Sequence, residues 1–285
     1  MHPKSWVLIT GASSGIGAEY ARQLAAKGYS LILCGRRAKQ LSSVARQIKE
    51  AFKTEVRLVI ADLAQDSQLA KLIKTALKAK DLVGLVNNAG FGLSQELKPG
   101  SFSDMQAMLK VHIEATTRLI HALLPQLLKA GPRGFVINVS SLAALIATPT
   151  SPLYAASKAY LCVLSESLFA TYYESGLMVQ ALCPGFTKTD FHLRLGMRPE
   201  ERKNRGLIRW MTAKRVVSAS LKALHQRKVI VVPGFLNRLG VAIVRLGHLV
   251  LGSLYYRIAG SMARRIKAYP IQEEQYAKAK SLSNC

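Results

Sequence analysis

Tyr154 and Lys158 stand four residues apart in Tyr154-Ala155-Ala156-Ser157-Lys158, and Ser141 stands thirteen residues before the tyrosine. On a helix, four residues make about one turn, so phenol and ammonium would share a face. A cation beside a phenol favours the phenolate and draws its pKa down from about 10 toward working pH. Such a phenol can exchange a proton with an alcohol or ketone oxygen. Ser141 follows the apolar run Phe135–Val139, where a buried strand would deliver a hydroxyl beside that oxygen. Taken alone, a tyrosine and a lysine at this spacing are usually no more than two neighbours on a helix. The meaning of the pair depends on what must position it.

The chain opens with the strand-like run Trp6–Ile9, then Thr10-Gly11-Ala12-Ser13-Ser14-Gly15-Ile16-Gly17, then a helical pattern ending before Gly28. In a strand, glycine-rich turn and helix, Gly11, Gly15 and Gly17 let the backbone approach a pyrophosphate, and the free amides of the helix start favour the anion. A second run, Ser30–Cys34, leads into Gly35-Arg36-Arg37. Two guanidiniums there suit the 2′-phosphate of NADP, or are simply solvated charges after a strand. A third run, Val56–Ile60, ends near Asp62-Leu63, where Asp62 could accept from an adenine amine. A fourth, Leu82–Val86, meets Asn87-Asn88-Ala89-Gly90. Amides there could lock neighbouring backbones and leave room for a flat ring, although asparagines are common in any turn.

Helical runs near 39–52 and 66–79 separate these strands. Ser103-Asp104-Met105-Gln106 reads as a capping box opening a long helix toward Pro125. That helix carries His112, either packing filler or a hydrogen-bonded group. Phe135–Val139 is the fifth strand, Met178–Leu182 the sixth, running into Cys183-Pro184-Gly185-Phe186-Thr187-Lys188-Thr189, and Val229–Val232 the seventh. Alternating strand and helix predicts an α/β fold, a doubly wound, mostly parallel sheet of about seven strands. All candidate groups then lie at the strands' carboxyl ends, where such sheets bind ligands.

With 285 residues and 49% hydrophobic content the chain can bury a sizeable core. Its 40 Lys+Arg against 16 Asp+Glu give +24, which invites a phosphorylated ligand, an anionic membrane or nucleic acid. No nucleic-acid reader motif accompanies the charge, so that class is set aside. Cys34, Cys162, Cys183 and Cys285 show neither paired spacing nor a zinc pattern, so no metal is expected and reduced thiols fit an intracellular compartment. Four residues before the first strand leave no room for a cleavable leader, and the apolar run near residues 246–256 is short for a membrane span. The expected location is cytoplasmic, with a peripheral membrane contact open.

Together, Thr10–Gly17 (TGxxxGxG), Asn87–Gly90 (NNAG), Tyr154–Lys158 (YxxxK) and Pro184-Gly185 (PG) resemble, in order, the motifs of the short-chain dehydrogenase/reductase family, over roughly residues 5–232. The resemblance implies a Rossmann-type cofactor and catalytic domain at 1–232, a homodimer or homotetramer, and a small carbonyl or alcohol substrate. It makes Tyr154 the general acid/base. Lys158 would bind the nicotinamide ribose and depress the tyrosine pKa, and Ser141, rather than Ser140, would hold the substrate oxygen. Cofactor contacts would come from Gly11, Ser13, Ser14, Gly15, Ile16 and Gly17, from Arg36, Arg37, Asp62 and Leu63, from Asn88, Ala89 and Gly90, and from Pro184, Gly185, Thr187 and Thr189. One position departs. Where the family has asparagine in a Val-Asn pair supporting a water-linked proton relay, this chain has Val111-His112. Imidazole can also relay protons, or the relay is weakened.

The last third is the most basic part, with 20 basic against 5 acidic residues from Gly185 to Cys285. Phe191, Leu193, Leu195, Met197, Leu207, Ile208 and Trp210 could line an apolar pocket or pack inside a lid. Residues 233–285 form a helical extension that resembles a bacterial-type reductase subgroup near acyl and steroid reductases. Its Arg238, Arg245, Arg257, Arg264, Arg265 and Lys267 alternate with apolar residues, suiting either an anionic membrane or core-packing helices with solvated charges. The expected function is NADP(H)-dependent hydride transfer between nicotinamide and a carbonyl or secondary alcohol of an apolar, lipid-like substrate. The competing expectation is a catalytically silent nucleotide-binding protein docked through its basic tail.

Overall fold

The computed structural model describes residues 5–93, 102–146, 151–195, 197, 203–204, 209–254 and 257. Leu207, Ile208, Arg264, Arg265, Lys267 and Cys285 lie outside the described residues. In chain order the elements are β1 (Trp6–Thr10), α1 (Gly15–Ala26), β2 (Ser30–Gly35), α2 (Ala38–Phe52), β3 (Val56–Ile60), α3 (Asp66–Leu77), β4 (Leu82–Asn87) and α4 (Ser103–Leu109). They continue with α5 (Thr116–Lys129), β5 (Phe135–Val139), α6 (Pro152–Thr171), β6 (Met178–Leu182), β7 (Thr187–Lys188), α7 (Asp190–Arg194), β8 (Met211–Thr212), α8 (Ala213–His225), β9 (Ile230–Val231) and α9 (Phe235–Leu251).

Seven strands form one sheet in the order β3-β2-β1-β4-β5-β6-β9, every pair parallel. The short β7 and β8 pair separately. Strands β1, β2, β4, β5 and β6 are buried along their whole length, which is why they read as unbroken apolar runs. Two layers cover them. Tyr20 and Leu24 of α1, Leu41 and Ile48 of α2, and Val216, Val217 and Leu221 of α8 share one core. Leu69 and Leu72 of α3 and Leu119, Ile120, Leu123 and Leu127 of α5 share the other. This is the expected doubly wound, Rossmann-type sheet. The order reverses between β1 and β4, which opens a crevice at their carboxyl ends.

Buried polar side chains fix the layers relative to one another. Asn87 donates to Asn138 Oδ1 at 2.9 Å, and Asn138 donates to Ser165 Oγ at 2.9 Å, tying β4, β5 and α6 together. On the other face Tyr20 donates to Ser220 Oγ, which donates to Gln180 Oε1. Such groups are costly to bury unpaired, so each bond selects one register. Cys34, Cys162 and Cys183 are buried free thiols.

The helix expected from Ser103 toward Pro125 is more complicated than its sequence pattern. Ser103 is the first helical residue, not the cap, and the preceding Phe102 carbonyl accepts from Gln106 N at 2.9 Å. The capping-box reading therefore fails, because the chain enters the helix one residue early. The helix widens into a π-helical turn at Lys110–Ala115, and α5 then passes through Pro125 to Lys129. That widened turn holds His112. Single π turns of this kind recur where a side chain must be re-aimed toward a site.

Candidate active site

Helix α6 begins at Pro152, whose fixed φ suits a first helical position. The expected one-turn spacing then sets Lys158 Nζ 5.7 Å from the centre of the Tyr154 ring. Lys158 is buried, and its ammonium donates to the Val139 carbonyl at the end of β5, 3.0 Å away. Ser141 caps a short turn at Leu142–Ala144, accepting from Ala143 N at 3.2 Å, and lies near enough to the Tyr154 phenol to draw its pKa down. The neighbouring Ser140 is buried and donates to the Lys158 carbonyl at 2.7 Å, which pins α6 to the strand. Of the adjacent serines, 140 positions the helix and 141 faces the phenol.

The protonation states differ from the expectation. Burial pushes the Tyr154 phenol up to about 12, with the Ser141 bond acting in the opposite direction, and burial brings Lys158 down to about 8. Desolvation is the largest effect on both groups, and the lysine's ammonium is held on a backbone carbonyl. In this arrangement Tyr154 is a held neutral acid, ready to donate.

His112 is buried against the same pair. Phe91 N–H donates to its Nε2 at 3.1 Å, and its Nδ1 lies 2.9 Å from Ser157 Oγ. Ser157 spends its own proton on the Tyr154 carbonyl at 2.8 Å. One assignment satisfies all three atoms: a neutral imidazole with its proton on Nδ1, donating to Ser157. Burial first, then the Lys158 charge, hold its pKa well below 6.5. Both ring nitrogens are committed, so the imidazole bridges the turn after β4 to α6. The fit is close, since a Cβ on Gly90 would stand 2.7 Å from His112 Nε2.

The glycine turn lies across the crevice. Thr10 Oγ1 accepts from Asn88 N and Ala89 N, each at 3.0 Å, and Asn88 Nδ2 donates to the carbonyls of Thr10 and Gly11 at 2.9 and 3.1 Å. The amides expected to lock backbones do so between β1 and β4. A Cβ on Gly17 would meet Gly11 O and Asn88 Nδ2, both at 2.4 Å. Ser14 caps α1 without a side-chain bond to the helix, and the first turn carries no acid. The cradle and the helix start fit a pyrophosphate.

At the adenosine end Arg37 lies over the turn, donating to Ser13 Oγ at 3.1 Å and Ser14 Oγ at 2.6 Å, with Asp190 3.7 Å away. Arg36 points the other way, 3.5 Å from Asp62, whose second oxygen accepts from Ala64 N. Leu63 is buried behind it. On the far side Ser141's neighbour Leu142 donates to the Pro184 carbonyl at 3.0 Å, and Thr187 donates to the Gly185 carbonyl at 2.9 Å. Thr189 caps α7 by accepting from Phe191 N, and its methyl faces Gly15. Ile16 packs on the core below the turn.

An apolar wall surrounds the phenol. Phe191 packs on the Tyr154 ring at 6.1 Å and Leu195 lies against Gly92. Trp210 stacks with Phe186 and His192, whereas Leu193 is turned outward. Leu93, Met105 and Met108, with Phe91 and Leu153, complete the wall and were not anticipated. Met105 and Met108 at an i, i+3 spacing beside an active-site strand were the available signal.

Residues 5–198 match the family model described as short chain dehydrogenase. Over 192 residues the chain is 31% identical to the very-long-chain 3-oxoacyl-CoA reductase of Anas platyrhynchos, covering 65% of this chain and 60% of that protein. Over 186 residues it is 33% identical to a Homo sapiens protein named inactive hydroxysteroid dehydrogenase-like protein 1, covering 65% and 56%. The chain thus spans little more than half the length of these curated relatives. Among solved structures, a short-chain dehydrogenase from Sphingobium yanoikuyae in complex with NADPH superposes with a TM-score of 0.75 at 27% identity, covering 87% of this chain and 96% of that one. A short-chain dehydrogenase/reductase from Burkholderia phymatum in complex with NAD gives 0.75 at 25% identity, covering 87% and 94%.

Proposed function

The chain belongs to the short-chain dehydrogenase family, and from that premise we propose that it is an NADP(H)-dependent reductase of carbonyl groups on apolar, acyl- or steroid-like substrates. The observation that carries this reading is geometric: Tyr154 and Lys158 stand one turn apart on α6, with Ser141 just beyond the end of β5 and the glycine turn opposite. When bound, the nicotinamide cofactor supplies the hydride. Its pyrophosphate fits the cradle of Gly11, Ser13, Gly15 and Gly17. Arg37, already seated on Ser13 and Ser14, favours a 2′-phosphate, Arg36 would have to leave Asp62 to join it, and Asp62 and Leu63 would hold the adenine.

In this reading Ser141 and Tyr154 hold the substrate oxygen from two sides, and Tyr154 donates the proton that the reduced oxygen needs. Lys158 supplies the compensating charge and would hold the nicotinamide ribose. Thr189, Thr187 and the Pro184-Gly185 turn would hold the nicotinamide end of the cofactor, together with Asn88, Ala89 and Gly90. Leu93, Met108 and Phe191 exclude water and suit an aliphatic or steroid body, in keeping with the relative named for very-long-chain 3-oxoacyl-CoA. We assign the enzyme to a reducing compartment such as the cytoplasm, as a homodimer or homotetramer, with its basic C-terminal third in peripheral contact with an anionic membrane.

A second reading, nucleotide binding without turnover, draws on His112, whose two nitrogens are spent on Phe91 and Ser157, and on the relative named inactive. One experiment divides them. Purified protein with NADPH or NADH and a panel of ketones and aldehydes should oxidise cofactor, NADPH faster, and Tyr154→Phe should not. NADPH binding with no oxidation of any substrate would leave only the silent reading.

A further inference from the structure

Helix α9 leaves Gly234 and packs one side on the body of the protein. Its Asn237 donates to the Pro233 carbonyl at 2.7 Å and sits so close to the turn after β6 that a Cβ on Gly185 would stand 2.9 Å from it. Leu236, Asn237, Gly240, Val241 and Val244 make the partly covered side. The opposite side is bare and apolar. Phe235 is 67% exposed, Leu246 61%, Leu249 82% and Val250 71%, with Leu239 and Ile243 among them. At 3.6 residues per turn these side chains fall within an arc of about 120°, and Arg238 and Arg245 line one edge of it. Both arginines are exposed.

A water-facing helix with this face inverts the ordinary pattern, in which large apolar residues turn toward the core. Charge indicates what covers it. From Arg202 to Ile271 the sequence holds fifteen Lys and Arg and no Asp or Glu. No helix among the described residues is long and apolar enough to cross a membrane. An apolar stripe edged by arginines, in a stretch without acids, matches the interface of an anionic bilayer, where acyl chains take the stripe and phosphates take the guanidiniums.

We propose that α9 is an in-plane docking helix that lays the stripe Phe235, Leu239, Ile243, Leu246, Leu249 and Val250 into an anionic lipid surface. This rests on the peripheral contact proposed above, and it specifies the element that makes that contact. Because α9 starts beside Gly185, docking holds the PG turn and the adjoining Phe186 and Trp210 near the lipid. An apolar substrate dissolved in the bilayer then has a short path to the site.

The test is sedimentation of the full chain with phosphatidylcholine vesicles, with and without phosphatidylglycerol, beside NADPH turnover of a water-soluble ketone in the same samples. The protein is expected to sediment with the anionic vesicles, to be released by salt, and to stay in solution with phosphatidylcholine alone. Leu246→Glu with Leu249→Glu should weaken binding at least about tenfold. Arg238→Gln and Arg245→Gln should each weaken it about fivefold. Neither set should change turnover of the soluble ketone. Failure to sediment with anionic vesicles at low salt overturns the proposal, as does unchanged binding of the double glutamate variant. A double variant that halves the mass in solution and still sediments would assign the face to a second copy of the chain instead. Loss of ketone turnover in every sample, with sedimentation intact, would count against the enzymatic reading alone.

Discussion

The first turns of α6 and the outer face of α9 solve opposite problems with the same backbone. On α6 each polar atom near the reaction has a named partner: Ser140 on the Lys158 carbonyl, Lys158 on the Val139 carbonyl, Ser157 between Tyr154 and His112. On α9 the exposed residues make a stripe in which no single side chain has a directional role. The difference predicts different kinds of fragility. Buried bonds fail one at a time and completely, because the abandoned partner stays desolvated. An apolar and electrostatic surface fails gradually, by area and by charge.

The largest effect should come from the buried region. Tyr154→Phe keeps the ring but removes the proton donor, and should lower kcat by about 10² to 10⁴-fold. NADPH binding, followed by fluorescence or calorimetry, should remain. A comparable loss of cofactor affinity would mean that the phenol serves binding instead of chemistry. The same region predicts a pH profile. With Lys158 brought down to about 8 and Tyr154 up to about 12, the ammonium is lost first as pH rises. Ketone reduction should therefore fall as pH passes about 8 while the phenol is still protonated. An alkaline limb displaced to the tyrosine value would show that the lysine charge is dispensable.

Arg37 lies between the two extremes, since it is partly exposed yet holds two directional bonds on Ser13 and Ser14. Arg37→Gln should raise the KM for NADPH about 10- to 100-fold through loss of charge-assisted bonds to a 2′-phosphate, and leave that for NADH nearly unchanged. Equal effects on both cofactors would place the arginine on the turn alone.

Legibility followed the same division. The seven strands, their order of appearance and the glycine turn could be read because buried parallel strands are unbroken apolar runs and the turn needs glycine where a Cβ would strike Gly11 O or Asn88. Ser141, Tyr154 and Lys158 could be read because their spacing is local. What could not be read was set by distant atoms. The tyrosine pKa depends on burial under Leu93, Met108 and Phe191, which come from three separate segments. The role of His112 depends on a π-helical turn that shifts it onto Phe91 and Ser157. For α9, alternation of arginine with apolar residues left two placements open, and the face turned to the core is settled by contacts of Asn237 with Pro233 and Gly185.

His112 offers the finest test of the contrast, because its effect should be seen in stability before activity. In the folded chain its pKa is depressed, whereas unfolded it returns to about 6.5. Below that value the unfolded state takes up a proton that the folded state refuses, so stability is complete above about 6.5 and declines as pH falls. His112→Asn should flatten the fall in Tm between neutral and mildly acidic pH while keeping a donor and an acceptor at the bridge. His112→Ala leaves the Phe91 amide without its partner and should cost about 1 to 3 kcal/mol at neutral pH. Substitutions on the outer face of α9, such as Ile243→Ser, should move Tm little and show no such pH dependence. If the acid limb is unchanged in His112→Asn, the imidazole takes up its proton as readily in the folded chain as in the unfolded one, and the neutral bridge assigned to it fails.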